Sequence, residues 1–364
     1  MNQQRVRVVL LFGGRSSEHE ISCATVSGVL SAIDRDRYEV IPVGITREGA
    51  FVPEEDSVAK FALNPERMPC VTDNGSRILW PESSATRELR VVDPEGRVSS
   101  LGDIDVVFPL LHGPFGEDGT VQGLLDLISL PFVGSGVLAS ALGMDKHFTK
   151  TVLAYSGLSV APWRTVTAAQ VQNDPRLPER AVAELGLPVF VKPSRAGSSV
   201  GVTRVSQLDG LAAALATAFE SDERVLIESG VVGREIELAV LEGRRGEPPR
   251  VSWAGEIIVT GREFYDFEAK YLDAPGIELV CPAILTDEEL ASLQDHAARA
   301  FTAIGGSGLA RVDFFLTEQG PVVNEINTMP GFTPISMFPR CWAVSGVSYP
   351  ELITELITLA VQKA

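Results

Sequence analysis

The chain has 364 residues, 45% hydrophobic and 22% charged, enough for two or three domains with large cores and unlike a disordered or fibrous sequence. Its 31 basic residues against 48 acidic ones leave a net charge of −17, which argues against nucleic acid or a membrane surface as partner and leaves small ligands open. Four scattered cysteines, Cys23, Cys70, Cys281 and Cys341, form no CxxC pair, so isolated thiols in a reducing cytoplasm are expected, without a disulfide framework or a zinc site.

The first residues lack the apolar stretch and cleavage site of a signal peptide. Residues 5–12 read as an apolar strand ending in Gly13-Gly14, followed by a helix over 20–33 and a strand over 38–45. This is a doubly wound opening, but the GxGxxG spacing of a dinucleotide site is absent. Residues 53–101 are mixed and polar, with short strands at 78–80 and 89–92 and no legible chemistry. A buried strand over 105–111 runs into the segment from His112 to Gly119, and a helix over 121–128 follows. Residues 127–144 carry no charge and nearly suffice to cross a bilayer, but Pro131, Gly134 and Gly136 break them into a strand, a turn and a helix.

A second unit begins near Gly143, with a helix over 146–156 and strands over 189–192 and 200–205 around a Gly/Ser turn at 196–199. A helix over 208–219 and a strand over 225–228 complete it. The third unit opens with strands over 235–241 and 251–258, then a polar-aromatic loop over 261–275 and a helix over 287–304. No internal repeat is present.

Residues 308–327 carry the most specific physical signal. Ala310, Val312, Phe314 and Leu316 alternate with Arg311, Asp313 and Phe315, and a turn over 317–321 leads to a second strand. In that strand Asn324 and Ile326 are expected on one face and Val323, Glu325 and Asn327 on the other. A hairpin centred on Gln319 sets Asp313 opposite Glu325 and Arg311 opposite Asn327. Two facing carboxylates repel unless a cation lies between them, and Asp, Glu and Asn oxygens without His or Cys suit Mg²⁺ or Mn²⁺. Arg311 beside them suggests an anionic substrate oxygen. The alternative is a solvated polar strand face.

Residues 191–201 place Lys192 at a strand end before a run of glycines and serines whose backbone N–H groups can close over phosphates. It is not a P-loop, and an ordinary exposed hairpin has the same composition. Glu18 and Glu20 fall at a helix start, where acids cap favourably. His112 ends a buried strand, and a lone histidine there is commonly structural. Lys146, Lys150, Lys270 and Tyr271 read singly as surface residues.

In their joint order these segments resemble the D-alanine–D-alanine ligase family of ATP-grasp enzymes. The matching stretches are FGGRSSEHEIS, PLLHGPFGEDGT, GMDKHFTK, FVKPSRAGSSVG, EFYDFEAKYL, GLARVDFF and NEINTMPGFTPISMFP. The resemblance implies an α/β ATP-grasp fold of three α/β domains: a Rossmann-like N-terminal domain over 1–142, a central subdomain over 143–229 and a C-terminal subdomain over 230–364. It implies a cytoplasmic homodimer that uses ATP to activate one D-alanine as an acyl phosphate and joins it to a second D-alanine for peptidoglycan.

The site residues follow from the same resemblance. Two Mg²⁺ or Mn²⁺ ions are implied on Asp313, Glu325 and Asn327. ATP would be held by Lys146, Lys192, Ser199, Glu228, Val231, Glu235, Phe264, Lys270 and Asn324. Glu18 would bind the ammonium of the first D-alanine, with His112 nearby. Arg311 and the Gly331 N–H would stabilise the tetrahedral intermediate, and Ser336 and Met337 would hold the second D-alanine. Tyr271 is implied to bond Ser198, itself linked to Glu18, making 261–275 a lid. Two positions depart from the family pattern: Ser229 replaces a lysine common beside adenine, and Ile335 replaces a histidine. A D-Ala–D-lactate or D-Ala–D-serine ligase is the rival within the superfamily, against which Tyr271 argues. A nucleotide-binding regulator without turnover is the rival from another class, and it would be expected to lack Arg311 or the metal residues.

Overall fold

The computed structural model describes residues 5–64, 66–197, 199–260 and 276–363. Strand β1 (Val6–Gly13) pairs in parallel with β2 (Tyr38–Ile45), and the helix His19–Ala32 makes the crossover between them. A short β3 (Phe51–Pro53) adds antiparallel to β2. Strands β4 (Arg77–Leu79), β5 (Glu88–Val92) and β6 (Val98–Asp103) form a separate antiparallel meander, and β7 (Val106–Pro109) returns to β1 in parallel. The first sheet therefore runs β3-β2-β1-β7. Val8, Leu10 and Phe12 enter one core and Val9 and Leu11 another, so β1 is buried on both faces. That is why its sequence reads as an unbroken apolar run.

The second sheet, ordered β10-β9-β11-β8, is antiparallel throughout: β8 (Trp163–Thr167), β9 (Val189–Pro193), β10 (Thr203–Val205) and β11 (Arg224–Ser229). The helices Leu177–Leu185 and Leu211–Phe219 pack Val182, Ala214 and Ala218 onto it. The strand expected over 200–205 starts only at Thr203, because Ser199 and Gly201 adopt positive φ and turn the chain.

The third sheet is β12 (Arg234–Leu241), β13 (Arg250–Val259), β14 (Ile277–Val280), β15 (Leu309–Thr317) and β16 (Gly320–Asn327), in the order β14-β13-β12-β15-β16. The helix Asp287–Ala303, started by a Thr286/Glu289 capping box, buries Leu293, Ala297 and Phe301 against it. Leu153, from the helix Lys146–Tyr155, and Leu158 join this core rather than that of the second sheet. The last helices, Met337–Val344 and Tyr349–Val361, return to the first sheet, where Phe332, Phe338, Trp342 and Leu352 share a core with Leu10 and Phe108. The N-terminal sheet and the end of the chain are thereby packed as one body.

Two thiols expected to be isolated meet in space, with Sγ of Cys281 and Cys341 3.8 Å apart as free cysteines. Among the described residues, no helix is long and apolar enough to cross a membrane.

Candidate active site

The hairpin β15–β16 sets the centre of the site. Its register is the expected one there, Arg311 opposite Asn327 and Asp313 opposite Glu325. The route to it differs from simple alternation. The turn pairs Thr317 with Gly320, and the register shifts between Asp313 and Phe314, so one extra residue on β16 is taken up at Asn324. Val323 consequently turns into the core with Ile326, not to the side of Glu325 and Asn327 as alternation predicts, while Asn324 and Glu325 both line the cleft. On the other side of β15, Glu237 of β12 pairs with Asp313. Glu237, Asp313 and Glu325 thus form a cross-strand row of three carboxylates, an arrangement that like charges alone make unfavourable.

Arg311 is the cation that the structure sets into this row. Its Nε and Nη2 each donate to Asp313 at 2.7 Å, and Nε lies 3.3 Å from Glu237. Asn327 Nδ2 donates to Asp313 at 3.1 Å. Burial, with Glu237 and Glu325, pushes the Asp313 carboxyl up to about 7 against the pull of Arg311. Asp, Glu and Asn oxygens are hard donors of the kind Mg²⁺ takes, but among the described residues no three acidic, His or Cys side chains are grouped so as to hold a metal ion.

A small cavity of about 80 Å³ opens from this centre toward the N-terminal sheet, bounded by Glu18, His112, Glu117, Gly197, Arg311 and Gly331 among others. Glu18 occupies the N-cap position of its helix, yet its side chain caps nothing and is 8% exposed, so helix capping does not explain it. Ser16 holds the turn before it, accepting from the Glu18 N–H at 3.2 Å and donating to the His112 carbonyl at 2.6 Å. Gly113 sits at φ +72°, and a Cβ there would come within 2.8 Å of Glu18 Oε2. A side chain at 113 would fill the space the carboxylate uses.

His112 and Glu117 fix the opposite wall through one residue. His112 Nδ1 donates to the Met329 carbonyl at 3.2 Å, and Glu117 accepts from the Met329 N–H at 3.3 Å and from the Gly113 N–H at 2.6 Å. The turn that carries Gly331 is therefore clamped on both its carbonyl and its amide. Burial pushes His112 down, keeping it neutral, and it pushes Glu117 up to about 8 with the help of the nearby Glu18 charge.

A larger cavity of about 440 Å³ lies between the second and third sheets, a size suited to a cofactor-sized ligand. It is bounded by Phe190, Lys192, Ser199, Glu228, Val231, Glu235 and Asp313, among others. Lys146, Ala196, Asn324 and Glu325 border both cavities. Lys146 is placed by Asp145, which caps its helix and accepts from Ser194 Oγ at 2.6 Å, and its Nζ donates to the Ala196 carbonyl at 2.6 Å. Lys192 Nζ donates to Glu228 at 2.6 Å. The site is one cleft with two chambers, a lysine-edged one and a smaller acid- and arginine-edged one, meeting at Asn324 and Glu325.

A family model described as "D-ala D-ala ligase N-terminus" matches residues 7–135, and one described as "D-ala D-ala ligase C-terminus" matches residues 152–358. The chain belongs to the D-alanine–D-alanine ligase family. It is 53% identical over 360 residues to a D-alanine–D-alanine ligase of Arthrobacter sp. (strain FB24), covering 98% of this chain and 94% of the relative. A D-alanine–D-alanine ligase of Kineococcus radiotolerans is 51% identical over 370 residues, covering 100% and 98%. Among solved structures, the VanG D-Ala:D-Ser ligase from Enterococcus faecalis superposes with a TM-score of 0.84 at 32% identity over 98% of this chain and 100% of that one. The D-alanine–D-alanine ligase from Coxiella burnetii does so with a TM-score of 0.81 at 32% identity, covering 99% and 95%. The fold is that of the D-Ala–D-X ligases, a mixed α/β ATP-grasp fold with several sheets.

Of the residues expected from family resemblance, Glu18, His112, Lys146, Arg311, Asn324, Glu325, Asn327 and Gly331 border the smaller chamber, and Lys192, Ser199, Glu228, Val231, Glu235 and Asp313 the larger. Ser336 occupies the N-cap position of the helix Met337–Val344 without a side-chain capping bond and lies beside Gly331, and its hydroxyl bonds Thr333 at 2.7 Å. Met337 is 5% exposed, its side chain packed against Gly255 in the core. Ser198, Phe264, Lys270, Tyr271 and the loop 261–275 lie outside the described residues. Ser229 bonds the Leu185 carbonyl at 3.2 Å, and Ile335 is exposed.

Five residues escaped the sequence reading. Glu237 was legible in principle, because it alternates with Glu235 on one strand face. Glu117 and Ser16 act through backbone groups that only the turns bring near. Lys150, read as a surface residue, is buried with its ammonium 2.7 Å from Glu228. His19, likewise buried, accepts from the Val71 N–H at 3.0 Å and meets the Gly14 carbonyl at 2.7 Å, tying residues 53–101 to the glycine turn.

Proposed function

We propose that this chain joins two D-alanines into D-alanyl-D-alanine with ATP, by way of D-alanyl phosphate, to supply peptidoglycan precursors. The observation that carries this reading is the meeting of the two chambers at Asn324 and Glu325, with Lys146 on the border of both. In this reading the larger chamber takes ATP, with Val231 and Phe190 against the adenine and Glu235 on the ribose side. Lys146 and Lys192 balance phosphate charge. The smaller chamber takes the first D-alanine, its ammonium on Glu18. Its carboxylate then faces the nucleotide across the acidic row.

The first step moves the γ-phosphoryl group to a carboxylate oxygen of D-alanine and releases ADP. Such a transfer demands charge neutralisation and alignment more than covalent help. Asp313, Glu325 and Asn327 are the residues that would hold Mg²⁺ or Mn²⁺, two ions per site, which supply charge neutralisation at the phosphates when bound. In the second step the amine of the other D-alanine attacks the acyl carbon, the carbonyl oxygen becomes an oxyanion, and the bond to phosphate breaks with loss of an amine proton. Arg311 and the Gly331 N–H, both on the wall of the smaller chamber, stabilise that oxyanion. Ser336 and Met337 would hold the second D-alanine, and Ser198, Phe264, Lys270 and Tyr271 remain part of the proposed site as family positions.

The domain limits proposed are 1–142, 143–229 and 230–364, and the enzyme is proposed to act as a cytoplasmic homodimer. The deciding assay is ADP release with ATP, Mg²⁺ and D-alanine, repeated with D-serine or D-lactate as acceptor. D-Alanine alone should support turnover and yield the dipeptide. No D-alanine-dependent ADP release refutes the assignment, and faster product formation with D-serine or D-lactate redirects it to another acceptor.

A further inference from the structure

Glu228 holds two lysines, one at each oxygen. Lys192 Nζ donates to Oε1 at 2.6 Å, and Lys150 Nζ lies 2.7 Å from Oε2 as an ion pair. The two lysines are not equivalent. Lys192 reaches the larger chamber with its side chain 12% exposed, whereas the side chain of Lys150 is 2% exposed and lies behind the carboxylate. Its other neighbours are the Ala161 carbonyl at 3.4 Å and the Trp163 ring, whose centroid is 5.8 Å from Nζ.

This geometry has a consequence for any anion entering the chamber. The Lys192 ammonium has three donors and can reach a phosphate while still bonded to Glu228, but the two anions then share one positive charge. A carboxylate 3% exposed is costly to leave without a partner. With Lys150 fixed on Oε2, Glu228 stays compensated while Lys192 serves the phosphate. Without Lys150, Glu228 and an incoming phosphate compete for the Lys192 ammonium.

We propose that Lys150 is a positioning residue for nucleotide binding, which compensates Glu228 from behind so that the charge of Lys192 is available to a phosphate oxygen. The inference rests on the nucleotide reading of the larger chamber.

The test is titration of ADP with Mg²⁺ into the full-length wild type, K150M, K150R, E228Q and the K150M/E228Q double variant, with melting curves recorded without ligand. K150M should weaken ADP binding about tenfold or more, while K150R stays within about threefold of wild type. The KM for D-alanine should be unchanged in K150R. Adding K150M to E228Q should change ADP affinity by less than about twofold, because no carboxylate is left to capture Lys192. A K150M protein that melts earlier but binds ADP like wild type overturns the proposal, since that is what a packing role alone produces. An equal loss from K150M with and without Glu228 also overturns it. If K150M does not fold, the comparison of E228Q with the double variant decides alone, and any large difference there is contrary. Failure of the wild type to bind ADP strikes at the nucleotide reading itself and is distinguishable from every difference among the variants.

Discussion

Arg311 grips Asp313 through two bonds of 2.7 Å, in a strand where Asp313 is flanked in register by Glu237 and Glu325. A planar fork is what makes this possible, since Nε donates to one carboxylate oxygen and Nη2 to the other. Arg311→Lys keeps the charge and loses the fork. Turnover is expected to fall by about a hundredfold or more, the scale seen when one donor to a developing oxyanion is removed, with ADP affinity nearly unchanged. Steady-state kinetics beside nucleotide titration would separate the two; an equal loss in both would place Arg311 in nucleotide binding instead.

Asp313→Asn removes one charge from the acidic row while keeping its shape. Mn²⁺ affinity, followed by calorimetry in the presence of ADP, is expected to weaken about tenfold or more. Unaltered Mn²⁺ affinity would mean that Asp313 serves only to hold Arg311.

Glu18→Gln removes the carboxylate that would meet an ammonium. The variant should bind ADP as wild type does and lose D-alanine-dependent ADP release almost completely. Retained turnover with an unchanged KM for D-alanine would remove Glu18 from the substrate site.

Glu117 predicts a pH dependence of stability. Its carboxyl is pushed up to about 8 in the folded chain, against 4.5 for the ordinary group, so the folded state holds a proton that the unfolded state has released. That contribution is fully present below about pH 4.5 and is lost as pH rises through about 8. Melting temperature should therefore decline between pH 5 and 9 for this reason. Glu117→Gln should flatten the decline while lowering the melting temperature at pH 6, because its amide N–H faces a backbone donor. An identical slope in the two proteins would locate the pH dependence elsewhere.

Gly255 lies on β13 under Met337, where an added Cβ would fall 2.1 Å from the thioether sulfur. Gly255→Ala displaces the Met337 side chain and so disturbs the start of the helix Met337–Val344, next to Ser336. Overpacking of this kind costs about 1–3 kcal/mol. The melting temperature should drop, and the KM for the second D-alanine should rise more than that for the first. Equal effects on both would argue that Ser336 does not serve the acceptor.

Residues 311–327 show how far pattern reasoning reaches. The pairing of Asp313 with Glu325 was legible because strand period and turn position fix which residues face one another. The bulge at Asn324 was not, since a single extra residue leaves no local mark in a sequence whose alternation looks regular on both sides of it. Yet that bulge is what turns Asn324 and Glu325 together into the cleft and sends Val323 to the core. Residues 53–101 were illegible for a related reason. Their contribution at the glycine turn is a backbone N–H from Val71 to His19, and backbone groups carry no sequence signature.

The acidic balance of −17 argued against a nucleic-acid partner, and the order of the motifs pointed to a family. Strand and helix periodicity placed β1, β2, β12, β15 and β16 to within a residue or two, because burial of one or both faces writes itself into local hydrophobic spacing. The tertiary structure decided where the charges went. It put Lys150 behind Glu228, set Arg311 among three carboxylates, and clamped Met329 between His112 and Glu117. Those contacts join residues from different sheets and distant turns. Their energies depend on burial and on distances of a few ångströms, and neither is encoded in the spacing of residues along the chain.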